Sequence, residues 1–238
     1  TNGGQATITN SDLAHNTGAG IAVIDGSAAI TQSRLTGNDH GLVVTNDGTA
    51  TIHDSSLADN ATTALNNASG TNTVDASGNW WGTTDEAAID AMTHGRIDFT
   101  PYLGAGTDID GDARGFAGDF GLLHTTSLGE QLPTANPDSD GRIQEGVDLA
   151  LPGGMLYIES ATYSESVVVP VNGLAIAGRT GVATDVVVAP AAGNGFTVTA
   201  DDVSITYLKV DGSVGGAHGI QWPTGNGLLQ LTHLELVN

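Results

Sequence analysis

The chain has 238 residues and no cysteine, and it sets 27 Asp+Glu against 6 Lys+Arg for a formal net charge of −21. Disulfide staples and thiolate metal sites are excluded, the charge repels nucleic acid, anionic membranes and acidic polysaccharides, and no apolar run reaches the ~18 residues of a membrane span. Glycine, at 34 of 238, is about twice its usual ~7% share, and mean hydropathy is near zero, which fits a narrow continuous core interrupted by many turns.

The first third of the chain repeats. Ile8, Ile30 and Ile52 are 22 residues apart, and Ser11, Ser33, Ser55, then Leu13, Leu35, Leu57, then Asn16, Asn38, Asn60 keep the same interval. A fixed period near 20 residues makes each unit one layer, whose apolar side is covered only when the next layer stacks on it. The units are rich in Val, Ile and Thr, lack a helical apolar stripe, and are broken every few residues by Gly, Asn or Asp, so they are short strands joined by turns. Leucine-rich repeats of this length need more leucines and a helical segment, and neither is present. The expectation is an all-β parallel β-helix solenoid with a column of Asn at one corner, where the left-handed backbone is tolerated and side-chain amides can bond from layer to layer.

Next come Gly78-Asn79-Trp80-Trp81-Gly82 and Gly95-Arg-Ile-Asp-Phe-Thr-Pro-Tyr-Leu103, then a stretch of linker composition, then Arg142-Ile-Gln-Glu-Gly-Val-Asp-Leu-Ala-Leu-Pro-Gly153, Leu156-Tyr-Ile158 and Ala161-Thr-Tyr-Ser-Glu-Ser166. The first group resembles the closing end of right-handed parallel β-helices of the pectate-lyase-like superfamily, and the last resembles the opening end, with a short capping helix near 142–150. The resemblance implies two right-handed β-helical segments: closing coils and an end cap over 1–104, an acidic linker over 105–140, and the cap and first coils of a second β-helix over 141–238. It bears on fold, because this fold hosts many unrelated functions.

Candidate sites are sparse. Asp108, Asp110 and Asp112, and Asn136, Asp138 and Asp140, alternate oxygen ligands around a Gly turn as calcium loops do, although neither set completes the pattern. Calcium is therefore the one cofactor to look for. Asn60 and Asn67 begin glycosylation sequons, and Trp222 in a Gly-rich loop is a platform for a sugar ring. The seven histidines form no ligand spacing. Asp201-Asp202 as a catalytic carboxylate pair is outweighed by a turn. The polysaccharide lyases of this fold generally set Lys or Arg beside the substrate carboxylate, and the few basic residues here lie in separate segments.

In the repeat frame, residue 1 enters partway round a layer and residue 238 stops where another layer should begin. Ala6, Ile8 and Leu13 on one side and Leu231, Leu234 and Leu236 on the other are then uncovered, as the open edge of a sheet is. The expected function is a non-enzymatic, extracellular or cell-surface structural protein that self-associates head to tail into a filament. The alternatives are a segment of a large secreted adhesin or glycan-binding protein, and a polysaccharide-degrading enzyme.

Overall fold

The computed structural model describes residues 3–111, 114–132, 142–212, 218–222 and 227–237. It is a parallel β-solenoid of about 9 turns that divides into two compact units, residues 1–119 with 128–132, and residues 120–127 with 133–238. The division differs from the expected linker over 105–140. Residues 105–111 and 114–119 belong to the first unit, and Leu122–Thr125 is a strand of the second.

The first unit has three faces. One is a parallel sheet of β1 (Gln5–Thr9), β3 (Ser27–Thr31), β5 (Thr49–His53), β7 (Val74–Asp75) and β9 (Ile97–Asp98), and another joins β2 (Ala19–Ile24), β4 (His40–Thr45), β6 (Thr63–Ala68) and β8 (Thr93–His94). The third is a column of single parallel bridges, Asp12–Arg34–Ser56–Trp80. The 22-residue period becomes in-register stacking: Ile8 pairs with Ile30 and Ile30 with Ile52. Strand alternation sends Ala28, Ile30, Ala50 and Ile52 inward, where they meet Leu35, Leu42, Leu57 and Leu65 in a buried core.

Two side-chain ladders hold the corners. The Asn38 Oδ1 accepts from Asn16 N (3.0 Å) and the Asn60 Oδ1 from Asn38 N (3.0 Å), while Asn38 Nδ2 donates to Leu13 O (2.8 Å). Beside them runs a serine ladder, with Ser11 N donating to Ser33 Oγ (3.2 Å), Ser33 N to Ser55 Oγ (3.1 Å) and Ser55 N to Asn79 Oδ1 (3.0 Å). Each corner needs a left-handed residue, supplied at one corner of successive layers by Asn10, Gln32, Asp54 and Gly78 with φ between 47° and 68°. The short helix α1 (Glu86–Ala91), capped by Asp85 accepting from Ala87 N and Ala88 N, is inserted between two turns. Trp81 is buried edge-on against Phe99, with centroids 6.1 Å apart. Its ring is thus part of the core.

In the second unit β11 (Leu122–Thr125), β12 (Met155–Ile158), β15 (Ala175–Gly178), β18 (Val203–Thr206) and β21 (Leu229–Thr232) form one sheet. A second comprises β13 (Ala161–Tyr163), β16 (Val186–Val188), β19 (Lys209–Asp211) and β22 (Glu235–Val237), and a third β14 (Val167–Val169), β17 (Phe196–Val198) and β20 (Ile220–Gln221). The expected capping helix is present as α2 (Arg142–Leu149). Its first amides, Ile143 N and Gln144 N, donate to the two carboxylate oxygens of Glu165 at 3.0 Å each. Gln144 completes the cap by meeting β14 as a strand would: Val168 N donates to its Oε1 (2.7 Å) and its Nε2 donates to Val168 O (3.1 Å). An edge that would otherwise offer free backbone groups is thereby covered.

Candidate functional site

Local geometry gathers charged side chains at one corner of the first unit. Residues 105–111 and 114–119 cross the column of left-handed corners and are fastened to it. Asp12 Oδ1 accepts from Arg34 Nη1 (3.4 Å) and from Gly115 N (3.1 Å), Phe116 N donates to Gln32 O (3.0 Å), and Gly118 N donates to Asp54 Oδ1 (2.6 Å). Asp108 pairs with Arg34 and also accepts from Ala117 N (3.1 Å). Gly115 is required, because it has φ 69° and a Cβ there would lie 2.3 Å from Asn10 Oδ1.

Burial is the largest influence on Asp54 and pushes its carboxyl above the ordinary range. Hydrogen bonds from Gly118 and Gln32 pull it down, and the nearby Asp110 and Asp108 push it up again. One of the expected ligands, Asp108, has its oxygens committed to a guanidinium and a backbone amide, and no group of three or more His, Asp or Glu is arranged to hold a metal among the described residues. Asp112, Asn136, Asp138 and Asp140 lie outside the described residues.

The sequons are engaged in structure. Asn60 Nδ2 donates to Leu35 O (2.7 Å) and Leu57 O (2.8 Å), and the buried Asn67 donates to Asn72 O and Arg96 O at 2.7 Å each. Both amide nitrogens thus donate to backbone carbonyls in the folded chain. Asp201 and Asp202 behave as turn residues, accepting from Gly227 N (3.0 Å) and Leu228 N (3.1 Å). Trp222 is 39% exposed beside β20.

Two features gave no sequence signal. In the second unit the buried His124 Nδ1 lies 2.8 Å from Glu159 Oε1, and Arg179 stands 3.9 Å from the same oxygen with its guanidinium over the Tyr157 ring. These residues join three neighbouring strands from positions with no shared motif. In the first unit β1, β3, β5 and β7 form a shallow trough whose lining mixes polar residues such as Gln5, Thr7, Thr49 and Asp75 with several alanines and Leu132. Strand alternation supplies both of its layers: Gln5, Ser27 and Thr49 stack in one column, and Thr7, Ala29, Thr51 and Asp75 in the next.

At the two edge layers, apolar side chains meet solvent. Ala6 is exposed and Ile8 and Leu13 are half-buried, Leu231 and Leu236 are 41% and 56% exposed, and Leu234 is half-buried. No helix among the described residues is long and apolar enough to cross a membrane. No family model, curated protein or solved structure matches the chain.

Proposed function

We propose that the chain is a non-catalytic structural β-solenoid of the cell surface or extracellular space, and that the Leu231–Leu236 layer of one copy stacks on the Ala6–Leu13 layer of the next. The observation that supports this is a contrast within single columns. Leu231 and Leu236 are largely exposed, whereas their register partners one layer inward, Ile205 and Val210, are 0% exposed. Covering a leucine contributes roughly 1.5–3 kcal/mol, and strand edges with free amides and carbonyls add direction to the contact. A contact between two different surfaces of the same chain does not close on itself, so it grows a filament. Right-handed winding and kinship with the pectate-lyase-like superfamily belong to the same proposal, carried by the motifs that resemble it.

Electron microscopy and light scattering of the chain test this. Unbranched filaments that vanish in a Leu231→Asp/Leu236→Asp variant are expected, and a wild-type chain that stays monomeric at every concentration overturns the reading. Repeating the imaging with a chelator tests calcium: loss of filaments gives a cation a part in assembly, and persistence removes it. A second reading, a segment of a glycan-binding surface adhesin, is favoured by the exposure of Trp222.

A further inference from the structure

We infer that Arg114 of one copy pairs with Glu235 of the next and fixes the register of the head-to-tail contact, an inference that rests on the stacking proposed above and names the charges that govern it.

The two edge layers match position by position. In one, Leu231 and Thr232 end a strand, His233 turns the corner with φ 52°, and Glu235 and Leu236 follow. In the other, Ile8 and Thr9 end a strand, Asn10 turns the corner with φ 47°, and Asp12 and Leu13 follow. Each layer also meets its inward neighbour in the same way. Thr232 Oγ1 is 3.0 Å from Thr206 Oγ1 and Thr9 Oγ1 is 3.3 Å from Thr31 Oγ1, while Glu235 is level with Lys209 and Asp12 with Arg34. A stack that continues the apolar column Ile205–Leu231 into Ile8–Ile30 therefore continues the threonine column as well. A slip of one residue would send both to the wrong face.

In that register Glu235 stands beside Asp12, one strand spacing of ~4.8 Å away. Two carboxylates directly opposite each other repel, and the cations of the column lie on their far sides, Lys209 at 3.6 Å from Glu235 and Arg34 at 3.4 Å from Asp12. The contact needs one more cation at the junction. The segment that crosses the corners is placed to bring it. It meets the third layer at Gly118, the second at Phe116 and the edge layer at Gly115, so Arg114 carries the same line on to the edge where the next copy would sit.

Arg114 is also the cation with nothing else to do. Of the 6 Lys and Arg, Arg34, Arg96, Arg179 and Lys209 each have a carboxylate within 3.9 Å, and Arg142 is buried beside Glu165. Arg114 is exposed, and its guanidinium pairs with no described residue. Its planar fork of N–H donors can hold two carboxylates at once. Asp12 still has Oδ2 to offer, because its bonds to Arg34 and Gly115 both end on Oδ1. Charges at the rim of an apolar contact select the partner and its alignment more than they raise affinity, so the leucines hold the stack and Arg114 aligns it.

The test is sedimentation velocity and electron microscopy of the full chain as wild type, Arg114→Gln, Arg114→Glu, Glu235→Arg and the double reversal, with melting curves to confirm that each variant is folded. Lys209 keeps Asp211 at 3.6 Å when Glu235 is replaced. Either single reversal sets like charges together and is expected to raise the concentration needed for assembly by about tenfold or more, and the double reversal to return it to within about threefold of wild type. Arg114→Gln, which only removes an exposed charge, is expected to shift it in the same direction by a smaller factor. Arg114 variants that assemble as the wild type does, or a double reversal no better than the singles, overturn the pairing and leave the stacking in place. A wild-type chain that stays monomeric at every concentration overturns both.

Discussion

The two units build the same kind of solenoid by different means. In the first, every turn from β1 to β5 has 22 residues, and two side-chain columns repeat the same residue, so Asn stacks on Asn and Ser on Ser. In the second, the register partners Met155, Ala175, Ser204 and Gln230 are 20, 29 and 26 residues apart. There the layers are held by apolar columns such as Leu156–Ile176–Ile205, and by a helix at the capped side. Regular corners make a solenoid intolerant of length changes, whereas apolar columns leave the turns between them free to vary.

Changing turn length is the sharpest way to break this comparison. Two residues inserted after Gly37 displace Asn38 from both its ladder bonds and its donation to Leu13 O, and the unpaired groups are expected to destabilise the first unit by about 3 kcal/mol or more. The same insertion after Gly181, in an exposed turn of the second unit, should cost under about 1 kcal/mol, since loop-closure entropy grows slowly with length. Hydrogen exchange resolved by segment reads each unit separately, and equal losses would remove the distinction.

Cavity formation comes next. Leu35→Ala in the first unit and Ile205→Ala in the second each empty a site that is 0% exposed, and each is expected to cost about 2–5 kcal/mol in denaturant melts. Asn38→Ala should cost about 1–3 kcal/mol through the amides and carbonyls it leaves unpaired. A loss below ~0.5 kcal/mol would mean that the asparagine column decorates the turns without holding them.

The smallest effects are those of pH. Asp54 in one unit and Glu165 in the other are both raised, in each case chiefly by burial, with hydrogen bonds acting the opposite way. A raised carboxyl holds its proton longer in the folded state than in the unfolded one. Its contribution is therefore full below the unfolded value and is lost as pH rises through the folded value. Asp54→Asn should flatten that decline in the first unit. Glu165→Gln should flatten it in the second, while costing about 0.5–1 kcal/mol of helix capping. Melting curves from acid to neutral pH check both.

What the sequence disclosed follows the same contrast. The regular unit was legible because Ile8, Leu13 and Asn16 recur at a constant interval, and the Asn column has a reason that residue type alone conveys. The aligned Ser11, Ser33 and Ser55 were visible as a column, but their bonding to the next backbone amide was not, since a serine in a turn has many uses. The helix at Arg142–Leu149 was readable from its motif. Its attachment was not, because Glu165 and Gln144 act across a fold whose turns differ in length. Residues 105–119 looked like linker because Gly and Asp are common in linkers; their attachment depends on Asp12, Arg34 and Asp54, far away in sequence. The trough, too, is assembled from residues that look unremarkable in any single repeat.

The bond between Glu165 and the start of α2 also bears on how the second unit comes into being. An eight-residue helix is too short to persist alone in water, and the carboxylate that secures it is made 22 residues after Ile143. During synthesis the first amides of the helix have no carboxylate to receive them until the Tyr163–Ser166 segment has emerged. The cap is therefore completed only together with the first turn of the unit it covers.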